Sequence, residues 1–426
     1  MLRLNKNCFT LLVVLIITSC TEGNLLSEKR NPYELDYLAV KLLTEDDNWS
    51  IIDKNANVVV KEEYAPNDLI SYVYDGVYWV KNNDKIQLYS IESPKKPICK
   101  DEYDMASDFM DGFSVVSKEG SPIQIVDTKG KIVTTLPDSI IFASPVLHIG
   151  LSLIGGVSGT EGVMDKQGNI ILHGKKFVIL GNDFLNYAEC NDENTIFTTD
   201  LNGNIIGEFS NHKWGFLSIY NSEKKIAAYE YKIGTNEPGT GREPVEDAQV
   251  IIINEKGERL FNLNKSYALN SLGALYQDGY ITYGTKEKLY GLADSNGENI
   301  IRPKFQQLLY LGDKKYLASK NSQYGVIDIE ENIIVPFNYD GGVVCRLGKN
   351  FILSHNNALY IVDNNGKELN KNGYVAMSIP YGLQQINTGK MVEKNPTTTL
   401  PAEYVDEYID DIELEYLSDD NHPAKQ

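Results

Sequence analysis

Cysteine and histidine are scarce in this 426-residue chain, five of each. Cys8, Cys20, Cys99, Cys190 and Cys345 include no Cys-x-x-Cys pair, which excludes a thiol zinc site or redox couple of that spacing. His148, His173, His212, His355 and His422 are scattered, and no two stand four apart, so the helical zinc-protease motif is missing and no metal is expected. Positive charge is also short: 40 Lys and Arg stand against 59 Asp and Glu, for a net charge of −19. Nucleic acid and anionic lipid would be repelled over much of such a surface. No apolar run approaches the roughly 18 residues that a membrane-spanning helix needs. Glycine-rich signatures fail as well. Gly239-Thr240-Gly241 lacks the third glycine of a dinucleotide fingerprint, and Gly156-Val157-Ser158-Gly159 lacks the spacing of a nucleophile elbow. Neither an enzyme nor a cofactor is expected from these patterns.

The amino end has a different character. Arg3 and Lys6 precede an apolar stretch from Leu11 to Ile17, closed abruptly by Thr18, Ser19 and Cys20. A charged start, a short apolar segment and small residues make a cleavable export signal over residues 1–19. The stretch Ile17-Thr18-Ser19-Cys20 resembles the lipobox of bacterial lipoproteins, with Ile17 where leucine is commoner. That resemblance implies that Cys20 carries the lipid and becomes the first residue of a protein held on a membrane surface of the cell envelope, with the outer membrane expected. It does not say which leaflet. Cys8 would leave with the leader, and Cys99, Cys190 and Cys345 are then read as small buried hydrophobes.

What the mature chain has in abundance is repetition. An aliphatic strand ending in Asp or Asn, a turn and a second aliphatic strand recur, as in WSIIDKNANVVV, IQIVDTKGKIV and YGVIDIEENIIVP. The anchors are Asp53, Asp127, Asp165, Asp200, Asn254, Asp294, Asp328 and Asp363, with Ser90 in a weaker copy. Their spacings are 37, 37, 38, 35, 54, 40, 34 and 35 residues. The long interval contains a polar Gly/Pro-rich insertion, KIGTNEPGTGREPVED, residues 232–247. In Asp127-Thr128-Lys129-Gly130 the Asp side chain can accept backbone N–H groups and the Gly can turn left-handed, so each copy is a hairpin. The alternative reading of these turns as calcium loops fails, because no late bidentate Glu follows at the required position.

Two further strand-like runs lie between hairpins, which makes about four short strands per period. The expected fold is therefore all-β, most simply a β-propeller of seven to nine blades with eight as the point value. An open stack of β-units is the alternative. The chain enters in mid-repeat at DYLAVKLL and leaves in mid-repeat at YGLQQIN, so its two ends can complete one unit. The division is a 20–34 linker, a 35–395 repeat domain and a 396–426 acidic tail or short helix.

The stretch PICKDEYDMASDFMDGFSVVSKEG, residues 97–120, is similar to the WG-containing repeat of bacterial exported proteins. YGLADSNGENIIRPKF and YGVIDIEENIIVPFNYD match the same hairpin and Ile-x-Pro exit, and the resemblance runs loosely from about residue 35 to 390. The namesake Trp-Gly is replaced by Trp49-Ser50, Tyr290-Gly291 and Tyr324-Gly325, while Trp214-Gly215 is out of register. The family implies a repeat scaffold and no shared chemistry. The function expected is thus a non-catalytic, monomeric scaffold binding a protein or glycan, with a glycan-active propeller enzyme or an outer-membrane assembly adaptor as alternatives. Insertions concentrate on binding faces, which singles out Arg242 with Trp214 and Tyr231 on the flanking strands as binding candidates.

Overall fold

The computed structural model describes residues 33–42, 48–65, 68–144, 146, 149–156, 161–180, 184–190, 192–210, 214–216, 224–232, 243–244, 251–262, 275–277, 279–285 and 289–379. All regular elements among them are β-strands. Cys20 and the whole 396–426 segment lie outside the described residues.

The anchor turns are built as their sequence dictates. Asp127 Oδ1 accepts the N–H groups of Lys129 and Lys131, both at 2.9 Å. Its backbone carbonyl accepts from Gly130, and its own N–H donates to the Lys131 carbonyl. Asp53, Asp165, Asp200, Asp294, Asp328 and Asp363 repeat the two side-chain bonds. Asn254 makes them too, through its amide oxygen at 3.0 and 2.9 Å, so the turn requires an acceptor and not a charge. Ser90 is too short for the pair and bonds only the Ser93 N–H, at 3.2 Å. In the eight Asp and Asn turns the residue three beyond the anchor is left-handed: Gly in six, Ala56 (φ 62°) and Glu331 (φ 65°) in two.

Each anchor belongs to an antiparallel meander. In the unit of Asp328 the order is Gln307–Tyr310, Lys315–Lys320, Gln323–Asp328 and Ile333–Tyr339, each strand paired to the next. Among the described residues seven sheets hold the nine anchored units, because two of the sheets each run through two units. The unit of Ser90 departs most: its outer position is an irregular stretch tied on by Ile98 N–H to the Leu88 carbonyl and by the Ile86–Tyr103 bridge.

The two ends of the described chain meet. Tyr374–Ser378 pairs antiparallel with Tyr37–Leu42 and supplies the inner strand that the first unit lacks, with Val40 opposite Met377. The expectation of a unit completed from both ends is met by this strand; YGLQQIN, at 381–387, lies outside the described residues. A second seam is parallel: Glu34–Leu35 runs along Gly341–Leu347, with Leu35 opposite Leu347.

Neighbouring units stack face to face, so middle strands are buried on both sides. In Gln323–Asp328, Val326 packs with Val344 and Leu353 of the following unit, whereas the adjacent Ile327 packs with Leu292 and Ile301 of the preceding one. Val163 and Met164 divide in the same way. A strand with two apolar faces explains the near-continuous aliphatic runs before each anchor, where a half-exposed strand would alternate with polar residues. Each fully buried aliphatic side chain contributes about 1.5–3 kcal/mol. The last unit also packs on the first: Val343, Ile352 and Ile361 share a core with Leu38, Val40 and Ile52. The result is an all-β, propeller-like repeat in which the terminal units share a core as interior ones do.

The glycine of the repeat has a steric cause. Gly162, Gly291 and Gly325 each stand three residues before an anchor, and their φ angles are ordinary. A Cβ there would lie 2.5, 2.6 and 2.7 Å from the carbonyl oxygens of Leu172, Ile301 and Val335 on the paired outer strand. The ladder registers shift at these points, which brings the outer backbone over the glycine. Pro303 and Pro336 then sit on the outer strands Asn299–Phe305 and Ile333–Tyr339, where a missing N–H costs no ladder bond and discourages pairing with another chain.

One expectation needs correction. Cys345 is fully buried, but Cys99 is half-buried and Cys190 is exposed. The Cys190 thiol donates to the Gly174 carbonyl at 3.1 Å. Only Cys345 behaves as a small core hydrophobe.

Candidate functional site

The insertion lies between the second and third strands of the Asn254 unit. Lys225–Lys232 is longer than its unit requires. Residues 225–228 pair with Ile251–Asn254, and Tyr231 and Lys232 pair beyond them with Pro244 and Glu243. The insertion therefore extends a hairpin at the strand end opposite the anchor turn. Trp214 is on the neighbouring strand, opposite Glu230, and Tyr231 is the next residue along. Backbone pairing thus brings two of the three predicted residues onto adjacent strands. Arg242 lies outside the described residues.

A second cluster escaped the sequence reading. Arg346 is wholly buried, on a strand whose other residues are apolar or glycine except for Cys345. Its Nη2 donates to Asp313 Oδ2 at 2.7 Å and Glu34 Oε2 at 3.2 Å. Its backbone N–H donates to the Tyr33 carbonyl, and Gly348 N–H donates to the Leu35 carbonyl. Nε and Nη1 are buried without a hydrogen-bond partner. Burial, and after it the nearby Arg346 charge, hold the Lys315 ammonium below its ordinary value. The arrangement is an ionic clasp: one guanidinium ties the start of the described chain to the last unit and to the Asp313 turn of the unit before. The signal that could have found it is a lone Arg in GGVVCRLGKN.

A third cluster lies between the last two units. His355 Nε2 and Glu368 Oε1 are 2.8 Å apart, and the imidazole stacks on Tyr360 with centroids 4.3 Å apart. Tyr339 donates to Glu368 at 3.4 Å, and burial, then the Glu368 charge, push its phenol up to about 12. These side chains hold one another. Among the described residues no group of three His, Cys, Asp or Glu side chains is placed to hold a metal ion.

Comparison with known proteins bears on the repeat itself. The family described as WG containing repeat matches residues 290–322, which take in the Asp294 hairpin and the first two strands of the next unit. That segment is similar to a WG containing repeat. Its Tyr290-Gly291 pair is the steric glycine described above with a half-buried tyrosine opposite Phe305. A search of curated proteins finds no match. Among solved structures, the chain is similar to one described as the eukaryotic initiation factor, at 12% identity over 71% of this chain and 84% of that one, with a TM-score of 0.45. It is similar to BamB from Moraxella catarrhalis at 12% identity, over 70% and 89%, with a TM-score of 0.33. The C-terminal WD40 domain of Sif2 matches at 10% identity, over 61% and 82%, with a TM-score of 0.36. The propeller-like fold rests on the strand order and shared cores, not on these scores.

Proposed function

We propose that this protein is a non-catalytic scaffold of the bacterial cell envelope, anchored by lipid at Cys20, that binds a protein or a glycan through its repeat. The observation that carries the scaffold reading is the seam between the chain ends. Tyr374–Ser378 completes the first unit, and the terminal units share a core, so strands from both ends hold one body. Such a body keeps its surface loops in fixed relation at little entropic cost on binding. The extended hairpin of the Asn254 unit is the one large departure from the repeat length, and Trp214, Tyr231 and Arg242 are its proposed contact residues.

The test is a pull-down from detergent-solubilised envelope with the mature protein, beside a glycan array on the same preparation. Deletion of residues 234–246 with the fold intact is expected to remove the dominant partner or glycan signal. Undiminished binding after that deletion would take the hairpin out of the reading. Hydrolysis of an array hit would replace the scaffold with an enzyme.

A further inference from the structure

The anchor turns stand together at one end of the repeat. Gly203 of one turn lies against Ile171 on the outer strand of the unit before, and Gly366 lies against Pro336 in the same way. Beside these turns the outer strands expose aliphatic side chains in a constant register. Val58, Ile132, Ile170, Ile205 and Ile333 each follow their anchor by five residues, and Ile205 and Ile333 are 60% and 62% exposed. Core packing does not demand them there; polar residues would satisfy an outer edge equally well.

The clasp is at this same end. Gly348, which bonds the Leu35 carbonyl, lies against Lys54 in the Asp53 turn, and Asn350 Nδ2 donates to the Lys54 carbonyl at 2.9 Å. Tyr33, where the described chain begins, is therefore at the turn end. Twelve residues separate Tyr33 from Cys20, a reach of at most about 45 Å.

We infer that the turn end of the repeat is the face turned toward the membrane, and that its row of outer-strand aliphatics rests in the headgroup region of a zwitterionic lipid surface. The inference builds on the anchored reading of Cys20. It leaves the extended hairpin of the Asn254 unit, at the opposite strand ends, directed away from the lipid and toward a partner. The net charge of −19 selects neutral over anionic headgroups.

The experiment is flotation of the mature chain carrying Cys20→Ser with phosphatidylcholine vesicles, compared with the same chain carrying Ile132→Ser, Ile205→Ser and Ile333→Ser. The triple variant is expected to partition about tenfold more weakly or less, given the transfer energy of aliphatic side chains, with an unchanged urea midpoint. Equal partition of the two chains would overturn the inference, as would no partition of the parent. If the substitutions instead convert a dimer to a monomer in sedimentation and leave flotation unchanged, the row is an interface between copies and the inference fails. Incorporation of labelled palmitate at Cys20 in cells tests the anchor separately, so the two readings fail independently.

Discussion

Replacing Gly291 by alanine tests the steric account of the repeat. The φ of Gly291 lies outside the left-handed region, so alanine meets no backbone penalty of its own. Its Cβ would instead lie 2.6 Å from the Ile301 carbonyl oxygen and 2.8 Å from the Pro303 nitrogen. Both are backbone atoms, and no rotamer change can relieve them; the two strands must separate over a core that includes Leu292 and Ile301. Overpacking of this kind costs about 1–3 kcal/mol, offset by roughly 0.4–1 kcal/mol because alanine narrows the unfolded ensemble. A net loss of about 1–2 kcal/mol follows from these terms. Gly155 is the matched control: its φ is also outside the left-handed region, and its Cβ would meet only Phe142 side-chain atoms at an ordinary 3.6 Å. There alanine should be neutral or stabilise by about 0.5 kcal/mol. Equilibrium urea unfolding followed by tyrosine and tryptophan fluorescence reads both, with m unchanged and the midpoints moving in opposite directions. If Gly291→Ala unfolds at the wild-type midpoint, or if Gly155→Ala costs as much, close backbone approach is not why the repeat keeps glycine.

The anchor turns make a second case. Asp363→Asn should preserve stability at neutral pH because Asn254 already performs the same bonds, whereas Asp363→Ala should lower the urea midpoint. The N–H bonds from Lys367 and Asn365, partly opposed by desolvation, hold the Asp363 carboxyl below its ordinary value, and hydrogen bonds from Asn204 and Asn202 do the same for Asp200. A depressed carboxyl contributes stability that is fully present above its unfolded value and is lost as pH falls through its folded value. Acid unfolding should therefore become shallower with each Asp→Asn replacement; an unchanged acid transition would refute the linkage. At the clasp, Arg346→Ala should cost about 2–4 kcal/mol through lost packing and ion pairs. Arg346→Met, which fills the space without buried N–H groups, should recover more than half of that loss in the same unfolding assay. Thiol labelling of the mature chain under native conditions should modify Cys190 first and Cys345 only with unfolding, since burial pushes the Cys345 thiol up. Rapid native labelling of Cys345 would contradict the packed seam.

Local chemistry made much of this fold legible from residues alone. An Asp or Asn with two N–H groups in reach, followed by a residue that can turn left-handed, defines a hairpin wherever it occurs, and eight such anchors announced eight of them, while Ser90 marks a ninth unit without the turn. The period and its four strands follow from the same signals, as does the pairing of the chain ends. Other features are invisible to a reading along the chain because they depend on which unit packs on which. The glycine before each anchor reads as a motif until the outer strand is seen crossing it. Arg346 looks like a stray charge in an apolar strand until Glu34 and Asp313, 312 and 33 residues away, are brought to its guanidinium. Cys345 stands in the apolar run GGVVCRL and Cys190 in the acidic AECNDE, and reading both as buried missed that the second is exposed at the end of a hairpin. Sequence by itself determined the repeat, because hairpin chemistry acts over five residues; tertiary structure decided the seam, the clasp and the exposed row, because those arise where surfaces hundreds of residues apart compete for burial.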